Sequence, residues 1–92
     1  MIARLMGLGQ YHIEDAYIDD LNTIDNLIVE IVEKDDYDNF QKTYPELISY
    51  VQKHGTPVPD GEIVESDIII PPDDLTLEEA RKIFKGQGII ED

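Results

Sequence analysis

Apolar residues recur at helical spacing along two stretches between Ala16 and His54. With side chains advancing about 100° per residue, Ile18, Leu21, Ile24, Leu27, Ile28, Val29, Ile31 and Val32 fall on one broad arc. Asp19, Asn22, Thr23, Asn26, Glu30 and Glu33 fall on the other. The apolar arc is wider than the ~100° stripe of an ordinary surface helix. In the second stretch Tyr37, Phe40, Tyr44, Leu47, Ile48 and Val51 form a narrower stripe at i, i+3, i+4 and i+7. A link as short as Lys34-Asp35-Asp36 predicts antiparallel neighbours, with Asp35 as N-cap of the second helix. The second helix covers part of the first. The remaining width of the arc requires other cover, from the rest of this chain or from another chain.

The flanking pattern is shorter in period. Ile2–Met6 and Gln10–Ile13 read as strands of a hairpin around Gly7-Leu8-Gly9, where glycines supply positive φ. Ile2, Arg4 and Met6 share one face, and Ala3 and Leu5 the other. Asp67–Ile70 reads as a third strand covered on both faces, bounded by Pro71-Pro72. Thr56–Ser66 between them reads as a loop, with Asp60-Gly61 a turn signal. Thr76-Leu77-Glu78-Glu79 is a capping box that opens a helix to Lys85, ended by Gly86. Arg81, Lys82 and Lys85 suit the negative end of that helix. Gly88-Ile89-Ile90 adds a short extended segment. The expected architecture is α+β in one domain of residues 1–92: an antiparallel helical hairpin, a small sheet made of the N-terminal β-hairpin plus one later strand, and a short C-terminal helix.

Particular residues sharpen this outline. Glu14-Asp15 open the first helix, with Asp15 as N-cap. Pro45 falls within the second helical pattern and predicts a kink near Thr43 or Tyr44, in one helix rather than two. Gly55 is expected at C′ of that helix, with Pro57 and Pro59 preventing its continuation. Asp25 is the one charge near the middle of the first helix's arc. It reads as a partly exposed residue at the edge of the packing. The alternative is a buried carboxylate with a raised pKa or a cationic partner such as Arg4.

Composition narrows the function classes. A chain of 92 residues hides only about 60–65% of its unfolded surface, so its core has little spare stability. An apolar content of 41% is nonetheless too high for disorder. Absence of cysteine points to an intracellular chain, and the first residues lack the layout of a signal peptide. No apolar run approaches the ~20 residues of a bilayer span, so direct membrane insertion is not expected. The net charge of −14 repels nucleic acid and anionic lipid and attracts a basic protein. Solubility alone would explain the acidity equally well.

Candidate chemistry is sparse. Gly7-x-Gly9 lacks the further glycine and the βαβ setting of a dinucleotide loop. Two histidines without cysteine do not suggest a zinc site, and Asp35-Asp36-x-Asp38 lacks the remaining ligands of a calcium loop. Ser66, His12 and Asp67 supply triad residue types without a motif. No catalytic residue, metal ligand or cofactor site is therefore expected. The candidate partner or oligomer surface is the wide arc itself: Ile18, Leu21, Ile24, Asp25, Leu27, Ile28 and Ile31.

Several motifs in collinear order resemble one family. They are Met1-Ile2-x-Arg4, Gly9-Gln10-Tyr11, Leu21-Asn22-x-x-Asp25-Asn26, Gly55-Thr56-Pro57-Val58-Pro59-Asp60, Ser66-Asp67-Ile68-Ile69-Ile70-Pro71-Pro72, Thr76-Leu77-Glu78-Glu79-Ala80 and Gly88-Ile89-Ile90. Together they resemble the PspA-associated domain family, PspAA, small proteins found beside phage-shock protein A in bacteria and archaea. The loop segments are the more specific part. Tyr44-Pro45 departs from the alanine-rich second helix common in the family. The resemblance implies a cytoplasmic, non-enzymatic adaptor whose partner is PspA, a coiled-coil protein acting at the inner face of the membrane. It marks Gly55, Thr56, Pro57, Pro59, Asp60, Ser66, Asp67 and Pro71 as a family-matched loop, whose plainer role is to seat the third strand. A homodimer formed through the wide arc is the alternative to a foreign partner.

Overall fold

The computed structural model describes residues 1–59, 61–62 and 64–84. The elements in chain order are β1 (Ile2–Leu5), β2 (Gly9–His12), α1 (Asp15–Glu33), α2 (Tyr37–His54), β3 (Thr56–Pro57), β4 (Ile68–Ile70) and α3 (Leu77–Ile83). The architecture is α+β, as the periodicities predict. The sheet has four strands in the order β3-β2-β1-β4. The β1–β2 and β2–β3 pairs are antiparallel, and β1–β4 is parallel. The two-residue strand β3 lies within the segment expected to be loop. Its two residues carry too little pattern to be read as a strand. They pair Thr56 with His12 and Pro57 with Tyr11 because the chain leaves α2 directly alongside β2.

The pleat sorts the sheet into two faces. Ala3 and Leu5 on β1 lie beside Ile68 and Ile70 on β4, and all four are buried. Arg4 and Ile69, paired with one another, are exposed. Among the described residues, β4 is therefore covered on one face and not on both as expected, because their helices lie on the side of the sheet that holds Ile68 and Ile70. Gly7 and Gly9 adopt φ of 87° and 105°, the conformations the tight hairpin turn requires.

The wide arc of α1 is filled by the chain's own elements. Leu21, Ile28, Val29, Ile31 and Val32 are buried in one cluster with Phe40, Tyr44, Leu47 and Val51 of α2, the inner face of the sheet, and Ala80 and Phe84. α1 packs against both α2 and α3. Asp25 is buried, with 1% exposure, rather than at the edge of the packing. It sits one turn from Leu21 and Ile28, on the side of the helix that faces this core. Arg4 lies on the outer face of its strand.

The turn between the helices differs from expectation by one residue. Asp35 has φ of 56° and occupies C′ of α1, not the N-cap of α2. The Asp36 N–H donates to the Ile31 carbonyl and the Asp35 N–H to the Val32 carbonyl, each at 3.1 Å, which is the Schellman pattern. Asp tolerates this left-handed position better than most residues. Asp36 is then the N-cap of α2 and accepts from the Asn39 N–H at 3.3 Å. At the start of α1 the cap position belongs to Glu14, with no side-chain cap bond, and Asp15 is the first helical residue. Pro45 lies within a single continuous helix.

Gly55 is the C-cap of α2, with extended φ and ψ of −80° and 158°, rather than a left-handed C′ residue. The helix must hand over at once to β3, and extended backbone does that. The capping box of α3 is present: Thr76 accepts from the Glu79 N–H, and Glu79 accepts from the Thr76 N–H. Arg81 and Lys82 are in its last turn. The expected positions of Asp60, Lys85, Gly86 and Gly88-Ile89-Ile90 lie outside the described residues.

Candidate functional site

The candidate site is an apolar cleft of about 340 Å³ between the hairpin turn, the middle of α2 and the segment that leaves β4. Leu5, Ile48 and Ile70 form its buried floor, and Met6 and Leu8 its exposed rim, at 48% and 55% exposure. Pro45, Pro71 and Pro72 contribute to its walls, and Asp73 is the charged residue among those lining it. Each side is held by a specific bond. The Met6 N–H donates to the Ile70 carbonyl at 3.0 Å, which fastens the hairpin turn to the end of β4. The Tyr44 hydroxyl donates to the Pro71 carbonyl, which fastens α2 to the proline segment. Tyr44 is itself locked between Phe40, stacked at 5.3 Å, and Phe84, edge-on at 5.7 Å.

Burial pushes the Tyr44 hydroxyl well above its ordinary value of 10.0, and the neighbouring charges of Asp73 and Asp74 add to the effect. The unfolded chain releases this proton near pH 10.0, whereas the folded chain keeps it. The contribution is therefore fully present below that pH and lost as the pH rises further. Tyr44→Phe is expected to cost about 1 kcal/mol at neutral pH, through the lost hydrogen bond. It should also make the fall in urea midpoint above pH 10 shallower than in the parent chain. Urea titrations of both chains at neutral pH and above pH 10 check this; equal slopes would contradict the assignment.

The family-matched loop mainly secures the sheet. Gln10 donates through Nε2 to the Val64 carbonyl at 3.1 Å and to Ser66 Oγ at 2.7 Å. Asp67 accepts from the Ile2 N–H through Oδ2 at 2.7 Å, and its own N–H donates to the Ile2 carbonyl at 2.8 Å. Val58 N–H donates to the Gln10 carbonyl. Thr56 and Pro57 form β3, Pro59 is exposed and Pro71 walls the cleft. Gly55 faces Tyr11 and Ile13 at a distance that leaves no room for a Cβ.

The arc residues are divided by the fold. Leu21, Asp25, Ile28 and Ile31 are in the interior, Ile18 and Ile24 are partly buried against it, and Leu27 is 46% exposed. They do not form one continuous surface. Met6, Leu8, Ile48 and Asp73, which the fold brings together, are far apart in sequence. The available signal was two large apolar residues flanking Gly7 in a turn, where polar residues are usual.

A second cluster joins the start of α1 to the end of α2. His54 stacks on Tyr17 at 4.8 Å and lies 4.4 Å from Tyr50. The Tyr50 hydroxyl donates to Asp20 at 3.3 Å. Burial, the Asp20 charge and that hydrogen bond together hold the hydroxyl above its ordinary value. Among the described residues, no group of three His, Cys, Asp or Glu side chains is placed to hold a metal ion. No helix among them is long and apolar enough to cross a membrane.

The family model of the PspA-associated proteins, PspAA, matches residues 1–92. The chain belongs to the PspAA family. The match takes in both the sheet-securing loop and every element around the cleft, so these are parts of a PspAA chain and not additions to one. No curated protein and no solved structure matches this PspAA member.

Proposed function

We propose that this chain is a non-enzymatic adaptor of the phage-shock membrane-stress system, which binds a PspA-type coiled-coil protein. The observation that carries the reading is membership of the PspA-associated family over the whole chain. The apolar cleft and the net charge of −14 are in keeping with it. Apolar side chains of a helix can enter such a cleft, and the acidic field attracts basic helices while repelling nucleic acid. On this reading the adaptor is cytoplasmic and reaches the inner face of the membrane through its partner.

Size-exclusion chromatography with light scattering tests the proposal on the chain alone and mixed with the PspA-type protein of the same organism. A shared peak with the summed mass is expected. Two separate peaks, with both proteins folded, would overturn the adaptor reading. The mass of the chain's own peak then shows whether it is a homodimer instead.

A further inference from the structure

The adaptor reading names a partner but no surface. Resting on that reading, we propose that the cleft between the hairpin turn and α2 is the docking site. Its occupant is a partner helix that presents large aliphatic side chains with Lys or Arg beside them.

Three properties of the cleft point to this occupant. Its lining is mainly apolar, and Met6 and Leu8 stand exposed at the rim although neither is needed to close the core. Such residues gathered on one surface mark an interaction site. Its walls are already fixed, by the Met6–Ile70 backbone bond, the Tyr44–Pro71 bond and adjacent prolines. A partner therefore has little ordering to impose. Methionine at the rim adds adaptability, since its unbranched side chain fits irregular surfaces.

Charge then selects among apolar occupants. Asp73 lines the cleft, Asp74 follows it, and the whole chain carries −14. A second copy of this chain would bring like charges together at the rim, which opposes self-association. Anionic lipid meets the same repulsion. A helix carrying aliphatic residues one turn apart, flanked by cations, satisfies both the apolar floor and the acidic rim.

The test measures the affinity of the full chain for the PspA-type protein of the same organism, by calorimetry at low and high salt. Leu8→Asp places a charge on the exposed rim without touching the floor, and Asp73→Lys inverts the lining charge. Leu27→Asp, on the exposed part of α1, is the control. Leu8→Asp is expected to weaken binding about tenfold or more, as loss of an interface anchor does. Asp73→Lys should weaken it and reduce its dependence on salt. Leu27→Asp should leave it unchanged.

Wild-type binding that persists equally in Leu8→Asp and Asp73→Lys would overturn the cleft assignment and leave the adaptor reading standing. Absence of binding by the wild-type chain would remove both. Self-association of the wild-type chain that Leu8→Asp abolishes would assign the cleft to a second copy and overturn the proposed occupant. Circular dichroism confirms that each variant is folded; should one of the two cleft variants fail to fold, the other decides by itself.

Discussion

Leu21→Ala should destabilise the chain by about 3 kcal/mol, while Leu27→Ala should cost less than about 0.5 kcal/mol. The two leucines lie on the same apolar arc, Leu21 well inside it and Leu27 at its edge, about 120° away on a helical wheel. In the fold Leu21 is fully buried and Leu27 is 46% exposed. Removing the Leu21 side chain leaves a cavity among residues of α1, α2 and the sheet, and that close-packed surrounding relaxes only in part. Global stability in domains is roughly 5–15 kcal/mol, and a small domain lies toward the low end. A loss of this size therefore removes a large share of it. At about 4–8 °C per kcal/mol for a domain of this size, Leu21→Ala should melt more than about 10 °C below the parent. Urea titration and thermal melting of both variants check the pair. Equal, small effects would mean that the arc is not the core of the folded chain.

Gly55→Ala should cost about 1–3 kcal/mol, and Gly55→Val more, although neither substitution demands an unusual backbone angle. The glycine has φ of −80°, which any residue adopts. Its role is close approach. A Cβ there would lie 2.6 Å from the Val51 carbonyl oxygen, 2.8 Å from Ile13 Cδ1 and 3.0 Å from Tyr11 Cβ. The first contact is with backbone, so no side-chain rotation relieves it. The Gly55 N–H also donates to that same Val51 carbonyl at 2.8 Å, closing the last turn of α2. Any shift that admits a Cβ strains this bond and separates β3 from β2. Gly61→Ala is the control, since nothing lies within 4 Å of its added Cβ. It should be neutral to within about 0.5 kcal/mol. Urea midpoints for the three variants measure the effect. A neutral Gly55→Val would show that the α2–β3 corner is not as close as the structure has it.

Both predictions turn on positions whose identity is plain in the sequence and whose environment is not. The helical hairpin was legible because Leu21, Ile28, Phe40, Tyr44 and Val51 repeat at the period of one element. The β-hairpin was legible because Gly7 and Gly9 supply positive φ, and the capping box of α3 because Thr76 and Glu79 lie three residues apart. Local physics decides each of these. The division of labour at Lys34-Asp35-Asp36 was less so. Three adjacent polar residues each suit a helix end, and only the backbone path shows that Asp35 closes α1 while Asp36 opens α2.

The cleft was not legible. Met6 and Leu8 sit in a turn, Ile48 on a helical stripe and Asp73 after two prolines, and no periodicity connects them. Their proximity follows from the parallel pairing of β1 with β4, which carries Pro71 and Asp73 to the hairpin turn and across α2. The wide arc of α1 shows the converse. Its surplus width called for cover from the rest of this chain or from another chain, and the chain's own sheet and third helix supply it and leave Leu27 outside.

By itself, then, the sequence determined the helices, the hairpin, the acidic charge and the family, because each depends on residue type and short-range spacing. Only the tertiary structure decided which apolar residues face inward, that Asp25 is buried, and where an open apolar surface remains. Those outcomes depend on which distant segments pack together, and a side chain's exposure is a property of its neighbours in space.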